Sequence, residues 1–352
     1  MKKRYTSNVY EGREKMIIPI KTQIGSYNIY LERGALKKAG EYFNLDRKVL
    51  IVTDTGVPSE YSKIVSDCCK DPYIVTIEMG EKSKNIDSFK YLLECMVEKG
   101  FTRTDCVVAV GGGVIGDLSG FVASAFMRGV DFYNIPTTVL SQVDSSIGGK
   151  TAVDFMGVKN IVGAFYQPKG VLIDSETLKT LPDRQISNGL SEALKMSMTS
   201  DPVLFDIFEN GDVMANIDAV IERSLNVKKY VVEEDEKEKG LRRILNFGHT
   251  LAHAIESVND LKDLYHGDCV AIGMVYMCSG EVRERLIPIL EKLKLPTETS
   301  LSAETLISLC KHDKKADGQQ ITIVYVNEIG KAELKKMHFD EYEKLVKRVL
   351  ER

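Results

Sequence analysis

The sequence has no tryptophan and only five histidines, at positions 249, 253, 266, 312 and 338. Its seven cysteines, at 68, 69, 95, 106, 269, 278 and 310, contain no C-x-x-C pair. An odd count without paired spacing argues against a disulfide framework and against a cysteine-ligated zinc. Reduced thiols are expected, as in the cytoplasm. No run of 18 apolar residues occurs, so no membrane span is expected. The start, MKKRYTSNVYEGREK, is basic but has no apolar stretch behind it and does not read as a secretory signal. Excess charge is also missing. Lys and Arg number 47 against 51 Asp and Glu, a net charge of −4, which disfavours a nucleic-acid binder.

What remains is an ordinary globular balance, 43% hydrophobic and 28% charged over 352 residues. At roughly 150 residues per domain, that length predicts two domains. In the first half, strand-like and helix-like segments alternate. Short apolar runs at Val49–Thr53, Tyr73–Glu78, Asp105–Val110, Phe132–Ile135 and Val171–Ile173 read as buried parallel strands. Ile17–Ile20 and Tyr27–Leu31 read as two strands around Gly25-Ser26. Strands alternating with helices such as Ser88–Lys99 predict a mostly parallel, Rossmann-like α/β domain over residues 1–181. Beyond Pro182, helical patterns dominate: Arg184–Met198, Pro202–Glu209, Val213–Glu233, Arg242–Val258, Gly267–Arg285 and Ala303–His312. A short strand, Ile321–Val326, and a helix at Phe339–Leu350 close a mainly α-helical domain over residues 182–352.

Three segments carry chemistry. Strand Val107–Val110 runs into Gly111-Gly112-Gly113-Val114-Ile115-Gly116-Asp117 and then a helix start. Glycines there let the backbone approach an anion, and helix-terminal N–H groups point at it. The pattern is not the GxGxxG fingerprint in its usual first-strand place, and a close-packed turn without a ligand competes with the phosphate reading. Asp54, at the end of another strand, suits either a ribose hydroxyl or a helix cap. The second segment, RRILNFGHTLAHAIES, spaces Arg242, Asn246, His249, His253 and Glu256 by 4, 3, 4 and 3 residues, one face of a continuous helix. His249 and His253 at i, i+4 permit shared metal ligation, with His266 and a carboxylate such as Glu192 as further candidates. Without the Glu of H-E-x-x-H, a metalloprotease is disfavoured. Ordinary, partly buried imidazoles remain the alternative. The third segment, residues 134–164, sets Asp144, Lys150, Lys159 and Asn160 among glycines, downstream of Arg128. It reads either as an anion pocket or as a solvated loop.

Taken together, the chain resembles the 3-dehydroquinate synthase family. The matching pieces are VTDTGV (52–57), GEKSK (80–84), GGGVIGDLSGF (111–121), RGVDFYNIPTTVLSQVDSSIGGKTAVD (128–154), VKNIVGAFYQP (158–168), TLPDR (180–184), GLSEALK (189–195), DEKEKGLRRILNFGHTLAHAIE (235–256), HGD (266–268) and DKK (313–315). The resemblance spans about Ile17 to Gly330. It implies an enzyme that turns 3-deoxy-D-arabino-heptulosonate 7-phosphate into 3-dehydroquinate and phosphate. NAD is oxidised and regenerated within each turnover, around β-elimination and an aldol closure, and one divalent metal is used, zinc or alternatively cobalt. It implies metal ligands Glu192, His249 and His266, which removes His253 from the ligand set and makes it a proton-handling residue. It also implies NAD contacts from Asp54, Glu81, Lys84, Gly112, Gly113, Asp117, Thr137, Thr138, Asp144, Lys159, Thr180 and Leu181. The reacting part of the substrate falls to Asp144, Lys150, Lys195, Arg242, Asn246 and His253. Further substrate contacts are Arg128, Asn160, Lys228 and Lys314, with Arg128 reaching across a homodimer interface.

The sequence departs from the family pattern at Gly56, Gln185, Asp268 and Cys269. Three rivals stay open at this level. They are another sugar-phosphate cyclase (2-deoxy-scyllo-inosose or epi-valiolone synthase type), an iron-type polyol dehydrogenase, and a non-catalytic NAD-binding protein. The expected partners are a phosphorylated keto-acid sugar and a second copy of the chain, with neither nucleic acid nor membrane.

Overall fold

The computed structural model describes residues 15–23, 25–236, 238, 240–259, 264–313 and 320–350. Lys314 and the side chain of His312 lie outside that set. The chain separates into two compact units. One runs to Leu181 and includes Ile217–Glu222; the other comprises Pro182–Asn216 and the chain from Arg223 onward.

In the first unit the strands are β1 (Met16–Thr22), β2 (Gly25–Leu31), β3 (Lys48–Asp54), β4 (Asp71–Ile77), β5 (Cys106–Gly111), β6 (Asp131–Pro136), β7 (Lys150–Phe155), β8 (Val158–Phe165) and β9 (Gly170–Ile173). The helices are α1 (Ala39–Tyr42), α2 (Ser59–Ser66), α3 (Ile86–Glu98) and α4 (Gly113–Ala125). Seven strands form one sheet in the order β1-β2-β9-β6-β5-β3-β4. Only the β1–β2 pair is antiparallel. Side chains alternate across a strand, and here both faces are covered. Leu50, Val52, Val107 and Ala109 pack with Leu92, Met96, Ile115 and Leu118 on one side. Val49, Ile51, Cys106, Val108 and Val110 pack with Leu36, Val65 and Ile135 on the other. Burial on both faces explains why these strands read as unbroken apolar runs.

The second unit holds α5 (Asp183–Ser200), α6 (Pro202–Asn210), most of α7 (Ile217–Glu234), α8 (His249–Asn259), α9 (His266–Tyr276), α10 (Gly280–Lys292), α11 (Ala303–Asp313), the hairpin β10 (Gln320–Glu328) and β11 (Lys331–His338), and α12 (Phe339–Leu350). No helix among the described residues is long and apolar enough to cross a membrane, and all seven cysteines are free of disulfides.

The structure corrects four sequence expectations. The polar run after residue 149 is a β-hairpin, β7–β8, not a loop. Strand β8 is exposed along most of its length, so burial does not set its pattern, and Lys159, Asn160 and the glycines around it make the segment read as polar. Lysine-rich β11 was missed for the same reason. The helix expected over Gly267–Arg285 is two helices, broken between Tyr276 and Gly280. The helix expected over Arg242–Val258 is a 3₁₀ turn, Leu241–Asn246, followed by a separate α8. Gly248 lies between them at φ 78°, a left-handed conformation that interrupts an α-helix. Arg242 and Asn246 therefore do not share a helical face with His249.

Candidate active site

In the first unit Asp54, Gly112, Gly113, Thr137 and Thr138 stand at the carboxyl ends of the parallel strands β3, β5 and β6, whereas Arg128 precedes β6 at its amino end. The chain passes from β3 outward to β4 and returns as β5 on the opposite side of β3. Such a reversal opens a crevice between the two strands, the usual ligand position in open α/β sheets. Asp54 ends β3, and Gly111 ends β5 and leads into Gly112 and α4. Asp54 helps line a cavity of about 490 Å³ with Thr55, Gly56, Pro58, Ser59 and Thr76. Burial raises its carboxyl pKa, partly countered by the N–H groups of Gly56 and Val57. Helix α4 begins at Gly112 with no side-chain cap, which leaves its first N–H groups available to an anion. A Cβ on Gly112 would stand 3.1 Å from Thr138 Cγ2, and one on Gly113 would stand 3.1 Å from Ser145 Oγ. The glycines thus keep open a cradle that side chains would crowd.

Around this cradle, Thr137 donates its N–H to the Gly111 carbonyl (2.9 Å), and Thr180 Oγ1 meets Tyr61 Oη (2.9 Å). Asp144 sits on a π-helical turn, Ser141–Ser145, a geometry frequent at functional sites. Lys84 is buried; its Nζ donates to Asp117 Oδ2 and Asn160 Oδ1, each at 2.5 Å, with Glu81 Oε1 at 3.9 Å. Burial alone would lower the Lys84 pKa, but Asp117, Glu81 and Asp154 outweigh it and hold the ammonium charged. Lys150, Lys159, Asn160 and Arg128 are exposed.

In the second unit, Glu192 on α5, His249 at the start of α8 and His266 at the start of α9 converge. One ligand atom from each lies within 4.8 Å of the others. Two close backbone approaches bring the three helices together. Gly267 donates its N–H to Asn188 Oδ1 on α5, and a Cβ there would stand 2.2 Å from the Asn188 carbonyl oxygen. A Cβ on Gly273 of α9 would stand 2.0 Å from the Gly248 carbonyl oxygen.

His266 Nε2 stands 3.3 Å and His249 Nε2 3.6 Å from Glu192 Oε1. The other ring nitrogens are held from behind. His266 Nδ1 lies 2.7 Å from Glu256 Oε1, and His249 Nδ1 lies 3.1 Å from the Phe247 carbonyl. Both partners only accept, so each Nδ1 carries a proton; neutral His249 presents its Nε2 lone pair, whereas His266, held protonated between Glu192 and Glu256, would present its own only once a bound cation displaces the Nε2 proton. Glu192 is 1% exposed, and neither of its oxygens makes a hydrogen bond of good geometry, although the Lys195 ammonium lies against Oε2. Burial would raise its pKa; Lys195, His249 and His266 reverse that and hold it well below the ordinary carboxylate value. Burial and Lys195 push His249 down to about 3. For His266 burial acts downward, but Glu192 and Glu256 prevail and raise it to about 10. A buried carboxylate paired with Lys195 through Oε2, with Oε1 turned to two imidazoles whose rings are held from behind, fits a divalent cation.

His253 lies outside the three-ligand cluster. Its ring is exposed, 5.6 Å from that of His249 and nearly perpendicular to it. Among the described residues of this unit, the buried cationic side chains are Lys195, Lys228 and Arg242. They neighbour an apolar cluster of Met196, Val227, Val231 and Leu245, which ties α5, α7 and the 3₁₀ turn together. Arg242 Nη1 donates to the Glu236 carbonyl (2.7 Å), and Asn246 Nδ2 donates to Glu238 Oε1 (2.8 Å). Sequence reasoning placed Glu256 on the polar stripe without a role. Its seven-residue spacing from His249 was the available signal.

Family models for the N-terminal and C-terminal parts of 3-dehydroquinate synthase match residues 74–188 and 189–316. A curated 3-dehydroquinate synthase of Streptococcus thermophilus is 40% identical over 339 residues, covering 90% of this chain and 96% of that one. The chain belongs to the 3-dehydroquinate synthase family. Among solved structures, a 2-deoxy-scyllo-inosose synthase complexed with carbaglucose-6-phosphate, NAD+ and Co2+ aligns with TM-score 0.84 at 23% identity, over 95% of this chain and all of that one. A 2-epi-5-epi-valiolone synthase from Streptomyces hygroscopicus, with NAD+ and Zn2+ bound, aligns with TM-score 0.84 at 25% identity, over 94% and 99% of the two chains. The family's departures are accommodated locally. Asp268 accepts the Tyr265 N–H (2.9 Å) in a capping box at the start of α9 and pairs with Arg184. Gly56 donates its N–H to Asp54 Oδ1 (2.8 Å).

Proposed function

We propose that the chain converts 3-deoxy-D-arabino-heptulosonate 7-phosphate into 3-dehydroquinate and inorganic phosphate, a phosphate-eliminating lyase reaction that uses NAD and one divalent cation, zinc or alternatively cobalt. The observation that carries this reading is the convergence of Glu192, His249 and His266, with both Nδ1 atoms held from behind, in a member of this family. When bound, the cation polarises substrate oxygens as a Lewis acid, and NAD accepts and returns one hydride, so the reaction is redox-neutral overall.

The chain's own groups bind, orient and move protons. Lys195, Lys228 and Arg242 are cations held away from water, and they suit the carboxylate and hydroxyl oxygens of the substrate. Arg128, Lys150, Asn160 and Lys314 hold its phosphate. Asp144 and Asn246 orient the reacting hydroxyls, and an imidazole nitrogen of exposed His253 takes and returns a proton. The α4 cradle and Asp54 hold NAD, with Glu81, Lys84, Asp117, Thr137, Thr138, Lys159, Thr180 and Leu181 around it. The seven cysteines, none in a disulfide, suit a reducing cytoplasm.

A homodimer is part of the reading. Phe155, Met156, Val158, Ile161 and Phe165 of the β7–β8 hairpin are each 47–87% exposed, apolar area that a second copy would cover. Tyr166 Oη donates to the Val130 carbonyl (2.7 Å), which ties the Arg128 turn to the end of that hairpin.

The deciding experiment incubates the purified protein with the heptulosonate phosphate, zinc and sub-stoichiometric NAD. Phosphate release without net NADH, abolished by a chelator and restored by zinc, is expected. Accumulation of NADH with a polyol would identify a dehydrogenase instead.

A further inference from the structure

Hairpin β7–β8 supplies a carboxylate, Asp154, whose role so far is only to help keep the Lys84 ammonium charged. Asp154 occupies the irregularity where the β7–β8 register shifts between Val153 and Phe155. Its N–H donates to the Lys84 carbonyl (2.8 Å), and its Oδ1 accepts the Asn160 N–H (2.8 Å). Lys84 Nζ donates to Asn160 Oδ1 (2.5 Å). The three residues therefore close a ring: Lys84 to Asn160 by side chains, Asn160 to Asp154 by N–H and carboxylate, Asp154 back to Lys84 by the main chain.

Two features show that the ring determines how Asn160 is presented. Asn160 has φ 54°, a left-handed conformation that costs a non-glycine residue energy and needs local support. The Asp154 carboxylate supplies it by accepting the N–H that this conformation turns inward. In addition, an ammonium only donates, so the Asn160 amide must give its oxygen to Lys84. Its NH2 group, with two donors, is left for another partner. Asn160 is exposed, and a pair of fixed N–H donors beside a buried cation suits an anion.

We infer that Asp154 is a positioning residue: it holds Asn160 in the left-handed conformation that turns the Asn160 NH2 toward the substrate's phosphate. The inference rests on the phosphate role proposed above for Asn160. Removing the Asp154 side chain takes away only the weakest of the three carboxylate contributions to Lys84's charge and leaves its bond to Asp117 and its main-chain bond intact, so NAD binding should change little.

The test compares wild type, Asp154→Ala, Asp154→Asn, Asn160→Ala and the double variant Asp154→Ala/Asn160→Ala. Asp154→Ala is expected to raise the substrate KM about ten-fold, the loss of one hydrogen-bonded arrangement. Its kcat and NAD affinity should stay within about two-fold of wild type. Asp154→Asn retains an oxygen acceptor and should restore KM to within about two-fold of wild type. In the Asn160→Ala background, Asp154→Ala should change KM no further, because its effect passes through Asn160. Additive KM effects, or an Asp154→Asn variant as poor as Asp154→Ala, would overturn the inference. Amide hydrogen exchange supplies a readout without turnover: Asp154→Ala should speed exchange at residue 160 and leave the β7–β8 ladder unchanged. Unchanged exchange at 160 also overturns it. If the wild type releases no phosphate, the proposed reaction and the phosphate role fall, while the exchange result still decides whether Asp154 holds Asn160.

Discussion

The two units handle charge in opposite ways. In the first, the candidate cofactor site is built chiefly from backbone: strand ends, an uncapped helix start and two glycines whose Cβ positions would be crowded. In the second, the site is built from side chains taken out of water: Glu192, Lys195, Lys228 and Arg242 are all under 6% exposed. A backbone cradle costs little while empty, because its N–H groups can turn to solvent. A buried carboxylate without hydrogen bonds is expensive unless an opposite charge answers it. Substitutions should accordingly be graded in the first unit and abrupt in the second.

The sharpest way to break that contrast is Glu192→Ala. It should drop bound metal from about one per chain to under a tenth and turnover by about a thousand-fold or more, read by elemental analysis and phosphate release. Retention of both would remove the second unit's special status. Glu256→Gln leaves every ligand in place and loosens only the support behind His266. Chelator competition should show metal binding weakened about 10- to 100-fold. In the first unit, Gly112→Val pushes a side chain toward Thr138 and over the α4 N–H groups. Calorimetry should show NAD binding about ten-fold weaker with metal content unchanged; a loss as abrupt as that of Glu192→Ala would erase the distinction.

The smallest effect lies outside both sites. Glu209 and Arg285 pair through two bonds of 2.7 and 2.8 Å beside Phe205. The Arg285 hydrogen bond holds the Glu209 pKa below its ordinary 4.5, against burial, which acts to raise it. A lowered folded pKa means the contribution is whole above the unfolded value and lost as pH falls through the folded one. Because Arg285 is half-exposed, solvent screens the pair. Glu209→Gln should cost about 0.2–1 kcal/mol in urea melts at pH 7 and nothing once the carboxylate is protonated in acid.

How much was legible follows the same physics. The buried parallel strands were readable because burial on both faces demands uninterrupted apolar residues, as in Val49–Thr53 and Asp105–Val110. The exposed β8 and β11 obey no such demand and were missed. Motif resemblance carried Glu192, whereas spacing alone could not choose it among the acids and even favoured pairing His249 with His253. The regular 4-3-4-3 stripe was misleading: a period defines a face only while the helix is continuous, and Gly248 breaks it. The ring orientations of His249 and His266 depend on the Phe247 carbonyl and on Glu256 folding behind them, which no one-dimensional pattern displays.

The near-total burial of Glu192 has a thermodynamic corollary. A divalent cation held by Glu192, His249 and His266 would bind the folded chain and not the unfolded one, so mass action would turn its occupancy into stability. Each ten-fold rise in free cation above its dissociation constant adds about 1.4 kcal/mol to the folded state. The gain is felt where α5, α8 and α9 cross, through the contacts of Gly267 and Gly273. A cell short of metal would hold a chain that opens there more often, and local opening is what proteases read. A metal held at that cluster would thereby tie the chain's lifetime to metal supply.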